Sequence, residues 1–362
     1  MRVSNNGTTS MPRLAASRGL FWLLAAMVLA LPLTATGCMC AAEPAAEPAP
    51  ADAPAEPEVD QTEESAWTKQ TSGISEQLND VFFINENIGW AVGGDNDGLV
   101  LATTDGGVTW TQQVSREAGT LHGVFFINEN IGWAVGDDVD SAPYGESNVL
   151  KTTDGGATWE AHGTGSLRRI EAVHFIDEST GYCVAWASQV FKSTDGGESW
   201  EQLEHDFASM SDHFYDVFFI DENTGWAVGG FEMVMFTADG GETWVLQEVE
   251  LDSDYDVFPA GIHFIDENTG WVVGAFGILA TTDGGGTWAQ QDDRGYKGIE
   301  FVNGQRGWAV GDAGLITSTV DGGRTWVEER PAEAGGSGLR AVRFVDAETG
   351  WAVGDGGLIL RY

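Results

Sequence analysis

Carboxylates dominate the side chains of this chain that are able to do chemistry, and their spacing sorts them. Six recur at one place in a repeated string: Asp105, Asp154, Asp195, Asp239, Asp283 and Asp321. Each is followed by Gly-Gly and then, four residues on, by Thr or Ser before a Trp. A reaction needs one asymmetric set of groups, so recurrence at six places argues against catalysis. A carboxylate beside Gly-Gly can accept backbone N–H bonds within a turn, which is a structural use. Asp252, Asp254 and Asp256 alternate like calcium ligands, yet the sixth position is Val257 instead of Gly and no Glu stands at the twelfth. A weak metal site and a solvated acidic loop are the two readings of that stretch. His205 and His213 are a second candidate pair, but no Cys accompanies them and their spacing fits no zinc pattern.

The elements that must position these groups repeat too. A Gly-Trp step, once Gly-Tyr, occurs at Gly89, Gly132, Gly181, Gly225, Gly270, Gly307 and Gly350. Thirteen of the fifteen Trp fall at two positions of the repeat, Trp22 and Trp186 being the exceptions, so Trp is core material here. In one unit, Leu121–Ile127 alternates as an innermost strand and Gly132–Gly136 is the second. Val149–Thr153 is the third, and a fourth starts at Thr158-Trp159. Gly132 is expected to supply a positive φ to the first turn. Four short strands at a period of roughly 40–50 residues predict an all-β propeller of four-stranded antiparallel blades.

The two ends of the repeat region fit together. The chain stops at Tyr362 inside a third strand, and Ala66-Trp67-Thr68-Lys69-Gln70 matches the fourth-strand string Thr109-Trp110-Thr111-Gln112-Gln113. The strand at Trp67 should therefore complete the last blade and close a ring of seven, leaving no open edge.

Residues 1–37 have the layout of an export signal: Arg2, Arg13 and Arg18, an apolar run from Leu20 to Leu33, then small residues. Ala35-Thr36-Gly37-Cys38 resembles the bacterial lipobox, which implies lipidation at Cys38; ordinary cleavage near Ala41 is the alternative. Residues 38–66 then form an Ala/Pro/Glu-rich tether, whose 41–66 portion holds eight acids and no base. Residues 67–362 are the propeller. They hold 14 Lys and Arg against 48 Asp and Glu, a field that repels nucleic acid. Cys183 replaces the Ala of the Gly-Trp-Ala-Val strand and reads as a small buried residue.

Uniform turns gather on one rim of such a propeller and variable loops on the other, where binding residues usually lie. The segment Glu204–Tyr215 brings His205, Phe207, His213, Phe214 and Tyr215, a density that suits either a partner-binding patch or the packing of a long loop. Tyr255 and Tyr296 lie in two further variable stretches. Just before the innermost strands, Asn79, His122, Glu171, Tyr215, Ala260, Lys297 and Arg340 should ring the channel mouth, as a ligand funnel or simply its wet end.

The turn string resembles the Asp-box, or bacterial neuraminidase repeat, from Thr103–Trp110 through Thr319–Trp326. A sialidase would add an Arg-Ile-Pro segment and three clamping Arg; the segment is missing, and Arg168, Arg169, Arg294, Arg340 and Arg343 lie in no matching context. Other glycosidases need two carboxylates at a set separation, which an acid-rich chain neither supports nor refutes. The strings Phe219–Trp244 and Phe264–Trp288 resemble the repeats of the photosystem II stability/assembly factor family over all of residues 67–362. That resemblance implies a non-enzymatic, exported and often lipid-anchored propeller that binds a protein, without a cofactor. Photosynthetic members use an Arg-rich patch, whereas this channel mouth offers Lys297 and Arg340. The reading is a monomeric, membrane-anchored binding or assembly propeller; the alternative is a carbohydrate-binding or glycoside-hydrolysing one.

Overall fold

The computed structural model describes residues 66–114, 119–137, 148–165, 168–205, 213–230, 233–249 and 258–362. Cys38, Phe207, Asp252, Asp254, Tyr255 and Asp256 lie outside the described residues. Seven four-stranded antiparallel sheets make up the fold. Blade 1 runs Leu78–Phe83, Gly89–Gly93, Leu99–Thr103 and Thr111–Val114 from the centre outwards. The innermost strands of blades 2 to 7 are Leu121–Phe126, Ile170–Phe175, Phe214–Phe219, Pro259–Phe264, Gly298–Phe301 and Leu339–Phe344. Each packs on the next, and the last packs on the first. Among the described residues no helix is long and apolar enough to cross a membrane.

Closure occurs as the sequence predicts. Thr68–Gln70 pairs antiparallel with Ile359–Arg361 and completes blade 7, with Lys69 opposite Leu360. Trp67 is fully buried in the same cluster as Leu358 and Leu360.

Aromatic rings tie blade to blade. The Phe that ends each innermost strand lies flat on the Trp or Tyr of the preceding blade's second strand, as Phe126 does on Trp90 at 3.4 Å and Phe83 on Trp351 at 3.4 Å. Seven such stacks run round the ring. Each is worth about 0.5–1.5 kcal/mol beyond the area it buries. The turn Trp meets the same Phe edge-on, for example Trp110 against Phe83 at 5.9 Å. Trp67 does this for Phe344 at 5.7 Å, standing in for the missing seventh turn Trp.

The Gly before each Trp has a different purpose from the one expected. Gly132 has no positive φ. A Cβ there would lie 2.4 Å from the ring of Phe126, and the same holds for Gly225 under Phe219. Glycine is needed because the stacked ring lies on its backbone. The fourth strand begins at Glu160, two residues after the expected Thr158, because Thr158 and Trp159 belong to the turn.

Candidate functional site

The six repeated Asp are turn staples. In the first copy, Asp105 Oδ1 accepts the Thr109 N–H at 2.8 Å and Oδ2 accepts the Thr109 hydroxyl at 2.7 Å. The Thr103 hydroxyl donates to Asp105 and accepts the Gly107 N–H at 2.8 Å. Gly106 and Gly107 have φ of 71° and 87°, which a Cβ would oppose. Asp154, Asp195, Asp239, Asp283 and Asp321 repeat the arrangement. The side-chain and backbone donors of residue 109 hold Asp105 below the usual carboxylate range, and Asp195 is held down to about 2 by Ser199. Carboxylates held ionised by such donors are not poised to exchange protons near neutrality.

All seven residues expected at the channel mouth line the central cavity, whose volume is about 230 Å³. Those of blades 1 to 3, Asn79, His122 and Glu171, join a continuous network. Arg169 Nη2 donates to His122 Nδ1 at 2.9 Å, so the His122 proton sits on Nε2, which faces Asp137 at 3.4 Å. Arg169 Nε lies 3.0 Å from Glu171 Oε1, and Glu171 also accepts the indole N–H of Trp186. Asn79 Nδ2 donates to the carbonyl of Leu121 at 2.7 Å, tying blade 1 to blade 2. Trp186 stacks on His213 at 4.5 Å and lies under the Arg169 guanidinium at 5.4 Å.

His205 and His213 do not converge on a metal position. They clamp the hairpin that carries Trp186. His213 Nδ1 accepts the Ala187 N–H at 3.1 Å, and His205 Nε2 donates to the Ser188 carbonyl at 2.6 Å. Ala187 and Ser188 have φ of 59° and 55°, a left-handed pair without glycine that needs such support. Phe214, expected on the binding face, is core: it is 1% exposed among Val184, Val217 and Met235. Alternation turns it inward while Tyr215 faces the mouth.

Deeper in the channel a belt of side chains closes on itself. Phe82, Phe125, His174, Phe218 and His263 touch ring to ring at 4.9–5.2 Å. His263 then meets Glu300 at 3.4 Å, Glu300 pairs with Arg343 at 3.0 Å, and Arg343 lies over Phe82 at 4.4 Å. Burial, helped by the charge of Arg343, pushes His174 down to about 4. Burial also lowers His263. Above the belt, Asp80 and Asp216 each join two blades: Asp80 accepts the N–H groups of Val81 and Val124, and Asp216 those of Val217 and Ile262. Burial raises Asp80 to about 6 and Asp216 to about 7.

In blades 5 and 6 the mouth opens sideways into a cleft bordered by Phe258, Tyr296, Leu315, Arg294, Lys297 and Arg330. Tyr296 is buried at 2% exposure and donates to Asp292 at 3.1 Å. Lys297 pairs with Asp312, and Arg340 with Asp355 at 3.0 Å. Sequence reasoning missed Arg169, Trp186, Phe258, Leu315 and Arg330 as site residues. Trp186 alone left a signal, as the one propeller Trp off the repeat positions.

The family model for photosynthesis system II assembly factor YCF48 matches residues 206–292 and 289–362. No curated protein matches the sequence. Among solved structures, a YCF48 bound to a D1 peptide superposes with a TM-score of 0.67 at 19% identity, covering 83% of this chain and 96% of that one. YCF48 from Cyanidioschyzon merolae gives 0.64 at 19% identity, over 82% and 98%. A GH74 enzyme of Niastella koreensis gives 0.64 at 14% identity, over 82% of this chain but 53% of that one. At these identities the superpositions establish the fold.

Proposed function

We propose that this propeller, similar in repeat and fold to YCF48-type assembly factors, is a non-enzymatic binding protein that engages a protein partner through its variable rim. The observation that carries this reading is the family-model match over residues 206–362, on the repeats that build the aromatic and cationic part of that rim. The solved YCF48 with a D1 peptide supports a protein as the ligand class. The geometry of the acids points the same way. Both oxygens of Asp80 and of Asp216 accept backbone N–H bonds, and both oxygens of each turn Asp are engaged within its own turn. Export and lipid attachment at Cys38 complete the proposal, on the order of charged, apolar and small residues at the N-terminus.

The test is photo-crosslinking of the full chain in its own cell envelope, followed by identification of the adduct, alongside incubation of the purified chain with a glycan panel. Recovery of one dominant protein adduct, with no reducing sugar released, is the expected result. Sugar release abolished by a single carboxylate substitution would replace this reading with a glycosidase.

A further inference from the structure

Every innermost strand turns one edge to the channel, and all seven hold the same register against their second strands. Val81 lies opposite Ala91, Ile299 opposite Ala309 and Val342 opposite Ala352, each at the third position of the Gly-Trp string. In an antiparallel ladder equal register makes the N–H groups of these equivalent residues point the same way. Four of the seven show where that is. Asp80 takes Val81 at 2.8 Å on one oxygen and Val124 at 2.9 Å on the other. Asp216 takes Val217 at 2.8 Å and Ile262 at 3.0 Å in the same manner. Each of these Asp caps its own blade and the next.

Three equivalent donors remain, Val173, Ile299 and Val342, and no side chain among the described residues accepts from them. Val173 stands alone, because Val124 on one side and Val217 on the other are already capped. Ile299 and Val342 are neighbours in blades 6 and 7, related as Val81 is to Val124. Gly298 holds the place that Asp80 holds in blade 1, opposite the Val of its string, and brings no carboxylate. All of these residues line the central cavity, whose volume of about 230 Å³ admits only a small molecule. Arg343, next in the chain to Val342, lines it too; its Nη1 holds Glu300 at 3.0 Å, while its Nε is buried without a partner. Lys297 and Arg340 above are paired with Asp312 and Asp355, so recognition there rests on directed N–H donors. Two adjacent N–H groups suit a planar acceptor with two charged oxygens.

We propose that the channel between blades 6 and 7 holds a binding site for a small monocarboxylate from solution, one oxygen on the Ile299 N–H and the other on the Val342 N–H. The bound acid does there what Asp80 and Asp216 do elsewhere in the ring, and it ties blade 6 to blade 7. The site goes beyond the protein-binding reading and does not depend on it.

Propionate is the probe. The full chain, isotope-labelled at Ile and Val, is titrated near neutral pH with sodium propionate in exchange for sodium chloride and followed by NMR. The Ile299 and Val342 amides should shift together along one saturation curve, with a Kd on the order of millimolar, since burial of the anion offsets part of its charge-assisted bonds. The amides of Val81 and Val217, already capped, should stay in place. Gly298→Asp puts a carboxylate at the same position, so the response should vanish and the Val342 amide should start displaced towards its propionate-bound position. The added Cβ would lie 3.0 Å from the Arg340 carbonyl oxygen, so folding of the variant is checked first; without it, the wild-type titration decides alone. Unmoved Ile299 and Val342 amides, an equal shift at the lone Val173, or the same curve with propionamide overturns the site. So does a response that persists in folded Gly298→Asp.

Discussion

The indole N–H of Trp351 donates to the carbonyl of Gly106 at 3.1 Å, joining residues 245 apart and sealing blade 7 to blade 1. Gln70 Nε2 reaches the same carbonyl at 2.9 Å from the strand Thr68–Gln70. Both ends of the propeller therefore converge on one turn. Trp67, buried between Phe344 and Tyr362, is the anchor of that arrangement. Trp67→Ala should lower stability by about 3–5 kcal/mol, the range for emptying a buried indole site. Chemical denaturation of the full chain measures it. A loss no larger than that of an exposed substitution such as Thr68→Ala would mean that the first strand does not lock the ring.

Glycine at the Gly-Trp step is required by contact with a ring. Gly225→Ala would put a Cβ 2.4 Å from Phe219 and disturb its stack on Tyr182. A destabilisation of about 1–3 kcal/mol is expected from this overpacking. Gly163→Ala, whose Cβ would meet nothing nearer than 3.9 Å, should change stability by less than about 0.5 kcal/mol. Thermal unfolding of the two variants decides whether contact or backbone freedom sets the rule.

The repeat explains why the fold was legible and the site was not. Trp67-Thr68 could be matched to Trp110-Thr111 because every blade presents the same string for comparison, and each copy confirms the others. The role of Gly132 was misread because its partner, Phe126, is brought close by the fold rather than by its position in the turn. Arg169 and Trp186, at the two ends of one blade-3 strand pair, meet His122 of blade 2 in one network, and none occupies a repeated position with its own type. The cleft is still less visible: Phe258, Leu315 and Arg330 are unremarkable residues until three separate loops gather them. Phe214 shows the converse error, since neighbours in sequence alternate between core and mouth.

The turn staples should be worth stability and nothing else. Asp154→Ala removes acceptors for the Thr158 N–H and hydroxyl and for the Thr152 hydroxyl. A loss of about 1–2 kcal/mol is expected from bonds of this type. Recovery of the protein adduct on photo-crosslinking should be unchanged. Loss of binding by a folded Asp154→Ala protein would give the Asp-boxes a part in recognition.

Asp216 should make stability depend on pH in an unusual direction. Its folded value, about 7, lies above the ordinary 3.8 because burial disfavours the charge. Between those values the folded chain holds a proton that the unfolded chain has released. Stability from this group is complete below pH 3.8 and is lost as pH rises to about 7. His174 works oppositely: with a folded value of about 4 against 6.5, it adds stability as pH rises between them. The wild-type profile is therefore partly cancelled, and the informative quantity is the difference between wild type and Asp216→Asn. Asn keeps the shape and cannot ionise, so its constant penalty of about 1 kcal/mol for a mismatched amide drops out of the slope. Wild type should lose ground to the variant steadily from pH 4 to pH 7 and then run parallel to it. A difference that stays level across that interval would show that Asp216 ionises in the folded protein as it does in the unfolded chain.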